Sequence, residues 1–324
     1  MDTTKTFAYG VAETIKEYLP PEYQDYKITV EERVKNNNVV QVGIQVNAPE
    51  DNVSPIIYME SFFDEIKSGE PVDQVMENIA SVIRDCRGRE PLPKNFAVDN
   101  YEQMKTKITP MLVNTRANRQ MLMQVPHMEV EDLSIICKLD VPIAAEETTA
   151  HTKVNYNLME LWNISKDELF KQAFENVKEQ DKPVLSNMFD VLDTFYEASN
   201  VVPNMLEGDR HVNLLDPMNS MLVLANESRN FGAVSIVCPG VAERIGELFP
   251  QGYYVLPSST HETLIIPKSP EMDPKHLGQM VRDVNRDVVS KEEILSDRVY
   301  EFDKEKGKIK QVPESIQKSR GVER

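Results

Sequence analysis

Ser258, Ser259, His261 and Glu262 place two hydroxyls, an imidazole and a carboxylate within five residues, in the run Gly-Tyr-Tyr-Val-Leu-Pro-Ser-Ser-Thr-His-Glu-Thr-Leu-Ile-Ile-Pro-Lys from Gly252 to Lys268. No other stretch of the chain is as dense in potential chemistry. A serine nucleophile needs a base about 2.6–3.2 Å away, and that base needs a third group to orient it. On an extended segment residues two apart share a face, so Ser259 and His261 point the same way and Glu262 points the other way. A hydrolase built here would have to recruit its orienting group from a distant part of the chain. The competing reading is a Pro-Ser-Ser turn whose hydroxyls satisfy backbone groups, with His261 structural.

Other chemistries lack their spacing. His261-Glu262 begins like a zinc-protease helix, but the second histidine would have to stand at position 265, which is Ile. His127, His151, His211 and His276 show no ligand spacing, so no metal is expected. There is no Walker A loop, dinucleotide fingerprint or Gly-x-Ser-x-Gly elbow, and only 12 glycines, so no cofactor is expected. Asn114, Asn118, Asn157 and Asn285 sit in otherwise apolar segments. They read as caps or ladder partners, with Asn118 and Asn285 the candidates for lining a polar binding pocket. The three cysteines, Cys86, Cys137 and Cys238, are few, odd in number and far apart, which fits buried thiols in a reducing compartment.

The chain has 324 residues, 40% of them hydrophobic, enough for a core and about two domains. With 36 basic and 53 acidic residues its net charge is −17. That balance argues against general nucleic-acid binding and against an anionic membrane surface. Residues 303–324 carry +3, leaving −20 on the rest. Neither a leader segment nor a membrane span is expected, and the expected location is the cytoplasm.

Several elements must position these residues. Phe7, Val11, Ile15 and Leu19 recur every fourth residue and predict a helix over 3–19, stopped by Pro20-Pro21. Ile28 and Val30, the turn Asn36-Asn37-Asn38, and Val40, Val42, Ile44 and Val46 predict a hairpin. Gly69 fits a helix C-terminus. Val72, Val75, Met76, Ile79, Val82 and Ile83 form the next helical stripe, and Pro91 and Pro93 lie in the expected domain boundary. Strands are expected at 133–139, 154–161, 221–225, 233–238 and on both sides of the Ser258–Glu262 connection. Helices are expected at 118–123, 183–197 and 241–249. Ser165-Lys-Asp-Glu168 and Ser290-Lys-Glu-Glu293 both read as capping boxes. Asp273-Pro274 starts a helix carrying Leu277, Met280, Val281, Val284 and Val288.

Four stretches taken together carry a resemblance. They are Leu112-Val-Asn-Thr with Asn118; Val125-Pro-His-Met with Asp132-Leu-Ser; Leu256-Pro-Ser-Ser-Thr-His-Glu; and Met280-Val-Arg-Asp-Val-Asn with Leu295-Ser-Asp-Arg-Val-Tyr. Over nearly its whole length the chain resembles the bacterial family designated domain of unknown function 5688. The resemblance implies a bacterial, cytosolic protein. It supplies no activity and transfers no catalytic residue.

The expected fold is α+β, with mixed, mostly antiparallel sheets and packed helices. A small N-terminal unit over 1–90 precedes a larger one over 91–312 and a frayed basic tail over 313–324. The expected function is a binding or regulatory protein that recognises another protein, with no oligomeric state assigned. The alternative is a hydrolase-like enzyme using Ser259, His261 and Glu262 with distant partners.

Overall fold

A computed structural model describes residues 3–49, 56–87, 98–142, 149–196, 203–208 and 221–313. The architecture is α+β, with antiparallel pairing in all three sheets. The chain divides into two compact units, Met1–Phe96 with Val141–Ala150, and Ala97–Asp140 with His151–Arg324. The expected boundary around Pro91 and Pro93, and the tail beyond residue 313, lie outside the described residues.

In the first unit, helix α1 (Thr3–Thr14) precedes strands β1 (Lys27–Val34), β2 (Val40–Asn47) and β3 (Ile56–Tyr58), then helices α2 (Glu60–Ser68) and α3 (Val72–Arg87). The hairpin turns where the sequence places it. Asn37 and Asn38 take left-handed backbone at φ 57° and 60°, which Asn tolerates better than most residues. β2 buries Val42, Ile44 and Val46 against Val11 and Ile15 of the N-terminal helical segment and Val75, Ile79 and Ile83 of α3. Gly69 closes α2 at φ 98°. Val72, counted in the α3 stripe, is exposed at the first turn instead.

The second unit contains α4 (Tyr101–Met104), β4 (Ile108–Asn114), α5 (Arg119–Leu122), β5 (His127–Val130), the greater part of β6 (Leu133–Pro142) and of β7 (Thr149–Lys153), α6 (Tyr156–Trp162) and α7 (Lys166–Gln180). It continues with β8 (Pro183–Asn187), α8 (Met188–Tyr196), β9 (Leu222–Asn226), α9 (Val241–Leu248), β10 (Tyr253–Pro257), β11 (Thr263–Pro267), α10 (Pro274–Asp287), β12 (Tyr300–Asp303) and β13 (Lys308–Gln311). Six strands form one sheet in the order β13-β12-β10-β11-β9-β8; β4, β6 and β5 form another, with β7 on β6. Helix α10 lays Leu277 and Val281 on Tyr254, Leu256 and Ile266.

Four expectations fail. Residues 156–162 form helix α6 rather than a strand, because the Asn155 side chain accepts from the Leu158 N–H and caps it. Residues 183–187 form strand β8 rather than the start of a helix, because they pair with the whole length of β9. The run from Gly232 to Val237 is a 3₁₀-helix, not a strand. Ser290 to Glu293 closes a turn through the Glu293 N–H and the Ser290 carbonyl, and no helix follows.

The first capping box has both of its bonds. Ser165 Oγ accepts from the Glu168 N–H at 3.2 Å, and Glu168 Oε2 accepts from the Ser165 N–H at 2.8 Å. Those bonds hold the Glu168 carboxyl below its usual range. Ser165→Ala should therefore lower the urea midpoint by the equivalent of about 1 kcal/mol with the slope unchanged. An unmoved midpoint would remove the cap from the account of α7.

Candidate functional site

A cavity of about 410 Å³ opens in the second unit. Its lining comes from four separate parts of the chain: the end of β4, the β5–β6 turn, α10 with the segment that follows it, and the last strand.

Asp132 organises the inner part. It stands in the two-residue turn between β5 and β6, where Val130 pairs with Leu133. Glu131, beside it, is held at φ 58°, a left-handed conformation that is uncommon for a residue with a side chain. The Asp132 carboxylate accepts three hydrogen bonds: from Tyr300 Oη at 2.5 Å, Gln311 Nε2 at 2.6 Å and Ser296 Oγ at 2.7 Å. Tyr300 and Ser296 are 1% and 2% exposed, so each donor depends on this carboxylate. Burial, then the neighbouring Asp132 charge, pushes the Tyr300 phenol far above its ordinary pKa, and it stays a protonated donor. The three donors share one acceptor, so the network ties the β5–β6 turn to the segment after α10, to β12 and to β13.

Two asparagines hold the segment after α10 in place. Asn114 Nδ2 donates to the Leu295 carbonyl at 2.7 Å, while its oxygen accepts from the Ala117 N–H at 2.9 Å. Asn285, 4% exposed on α10, donates to the Ser296 carbonyl at 3.0 Å and to Asp297 Oδ1 at 2.9 Å. Of the two asparagines singled out in the sequence, Asn285 thus supports the pocket lining. Asn118 is buried behind it and donates to the Asn114 carbonyl at 2.9 Å.

Three guanidinium groups line the same cavity, Arg116, Arg282 and Arg298. Arg116 is exposed, and no hydrogen bond or ion pair engages its side chain among the described residues. Arg282 donates to the neutral Gln279 amide at 3.1 Å. None of these arginines was singled out as a site residue in the sequence, nor were Asp132, Ser296, Asp297 and Gln311. Arg282, Arg298, Asp132, Ser296 and Asp297 stand in the stretches that carry the family resemblance, whereas Arg116 and Gln311 lie outside them and had no signal.

The Ser258–Glu262 patch lies elsewhere in the same unit, in the β10–β11 connection. Ser259 Oγ accepts from the backbone N–H of His261 at 3.0 Å, not from its ring. The His261 ring accepts at Nδ1 from the Phe231 N–H at 3.2 Å, and its Nε2 lies 3.4 Å from Glu293 Oε1. It stacks on Phe231, which also meets His151 edge-on and lies beneath the Lys138 ammonium. Glu262 contributes its carbonyl to the Ser259 N–H. The structure therefore brings Ser259, His261 and Glu262 together through the backbone of one turn. Cys137 and Cys238 are buried, which raises both thiol pKa values, that of Cys238 to about 12, and leaves them weak nucleophiles at neutral pH. No cluster of three or more metal-ligating side chains occurs among the described residues, and no described helix is long and apolar enough to cross a membrane.

A family model described as Family of unknown function (DUF5688) matches residues 4–304. The chain belongs to that family. No curated protein and no solved structure matches it. Of the four stretches that carry the DUF5688 resemblance, three supply Asn114, Asp132, Arg282, Asn285, Ser296 and Tyr300 to the pocket or its support, and the fourth holds His261.

Proposed function

We propose that the protein is a binding or regulatory protein, and that the arginine-bearing pocket is its recognition site. One observation carries this reading. Arg116 brings a charged fork, with no partner among the described residues, to a cavity whose floor is already fully hydrogen-bonded. Donors left free over a preorganised floor suit ligand capture. The cavity volume also falls within the range of about 300–1,000 Å³ usual for small-molecule sites. At His261 the Nδ1 lone pair is already occupied by a backbone N–H, which lends the hydrolase alternative no support. Contacts with another protein are the proposed output of recognition, and the net charge of −17 favours a partner with a basic face.

Native mass spectrometry of the chain isolated from its host under gentle conditions tests the reading. The wild-type protein should retain a small-molecule adduct that Arg116→Gln has lost. If both give the same bare mass and capture the same proteins, the pocket is not the recognition site.

A further inference from the structure

We infer that the group taken up by this pocket is a compact dianion, a phosphate monoester or a small dicarboxylate. The inference rests on the reading of the pocket as a recognition site and specifies its ligand.

The argument begins with charge. The chain carries 53 acidic residues against 36 basic ones, so carboxylates outnumber the cations that could pair with them. In such a chain an arginine has many carboxylates to choose from. Arg286 pairs with two of them, Asp283 and Asp287, and Arg244 pairs with Glu247. Among the described residues Arg116 and Arg282 pair with none, and neither do Arg84, which donates to the Tyr18 carbonyl, and Arg119; what sets Arg116 and Arg282 apart is that they line one cavity. Arg116 has no hydrogen-bond or ion-pair partner among the described residues, and the hydrogen bond of Arg282 goes to an uncharged amide. Two guanidiniums without a carboxylate therefore face one cavity.

Among the described residues the pocket's own carboxylates make no ion pair with Arg116 or Arg282. Asp132 is occupied by Tyr300, Ser296 and Gln311, and Asp297 accepts from Asn285. The remaining donors are guanidinium N–H groups in a planar fork, which match the paired oxygens of a phosphate or a carboxylate. Two forks carry two positive charges. A monocarboxylate would satisfy one of them, whereas a phosphate monoester, with a charge of about −1.5 to −2 at neutral pH, or a dicarboxylate would satisfy both. A macromolecular polyanion fits less well, because the net −17 of the surrounding chain would repel the rest of it.

Isothermal titration calorimetry of the purified full chain at low salt tests this. The probes are inorganic phosphate, succinate, free lysine and glucose. Saturable one-to-one binding of phosphate or succinate is expected. Arg116→Gln and Arg282→Gln should each weaken that binding about tenfold or more, the loss typical of a charge-assisted hydrogen-bonded pair. Arg116→Lys should recover only part of it, since an ammonium keeps the charge but loses the fork. Phosphate binding alone assigns a phosphate monoester; succinate binding alone assigns a dicarboxylate. Unchanged thermal midpoints in the variants show that they fold. If neither dianion saturates below about 10 mM, equivalent to roughly −3 kcal/mol of binding, the inference is overturned. It is equally overturned if both glutamine variants bind like the wild type. Arginine-dependent binding of lysine or glucose would overturn the dianion and leave the recognition site standing. Failure of the mass-spectrometric test would remove the site itself.

Discussion

Gly232→Ala is expected to destabilise the second unit by about 3 kcal/mol or more, the upper end of the usual cost of overpacking a core. A methyl group at Gly232 would sit 2.5 Å from Asn226 Oδ1, 2.6 Å from the Asn226 backbone nitrogen and 2.7 Å from the His261 carbonyl oxygen. Two of those three atoms belong to the backbone: Asn226 cannot retreat without breaking its pairing with Pro183, and His261 is tied into its turn by the bond from its N–H to Ser259 Oγ. Asn226 ends β9, which is held on one side by β8 and on the other by β11. The preceding turn has no slack to give, since Arg229 and Phe231 already sit at φ 54° and 55°. For a unit of this size the thermal midpoint should fall by roughly 6–12 °C. A midpoint within a degree of wild type would mean that the turn can rearrange, and that its left-handed residues are not rigidly imposed.

Asp132→Ala should cost about 4 kcal/mol. It leaves Tyr300 and Ser296, both nearly inaccessible to water, without an acceptor, and each orphaned buried donor costs about 1–3 kcal/mol. A double-mutant cycle separates this cause from general damage at the β5–β6 turn. In the wild-type background Tyr300→Phe removes a bond and should destabilise. In the Asp132→Ala background it removes an unpaired hydroxyl and should be neutral or stabilising. Equal effects of Tyr300→Phe in both backgrounds would sink the account of Asp132 as the acceptor that the floor depends on.

Much of the fold was legible where a few neighbouring residues decide the outcome. The β1–β2 turn rests on the left-handed tolerance of asparagine, the end of α2 on Gly69 and the start of α7 on Ser165 and Glu168. Legibility failed where distant pairing overrode a local pattern. Pro183–Asn187 extends because β9 is available beside it, and Ser290 opens a turn whose Glu293 carbonyl accepts from the Thr260 N–H. The α10 stripe was over-read at its end, because Val284 and Val288 extend the apolar spacing beyond the sheet that covers Leu277 and Val281 and remain exposed. The site was the least legible part. The short patch from Ser258 to Glu262 drew attention by sheer proximity, whereas Arg116 and Arg282 become neighbours only through tertiary folding. An unpaired arginine cannot be recognised in a sequence, because its lack of a carboxylate is a property of the assembled chain.

The floor of the pocket joins Asp132, in the first half of the chain, to Gln311, on the last strand. On the ribosome this means that a growing chain cannot display the finished site until β13 has emerged and paired with β12. Chains cut short before Gln311 would leave Asp132 one donor poorer and the cavity open on that side.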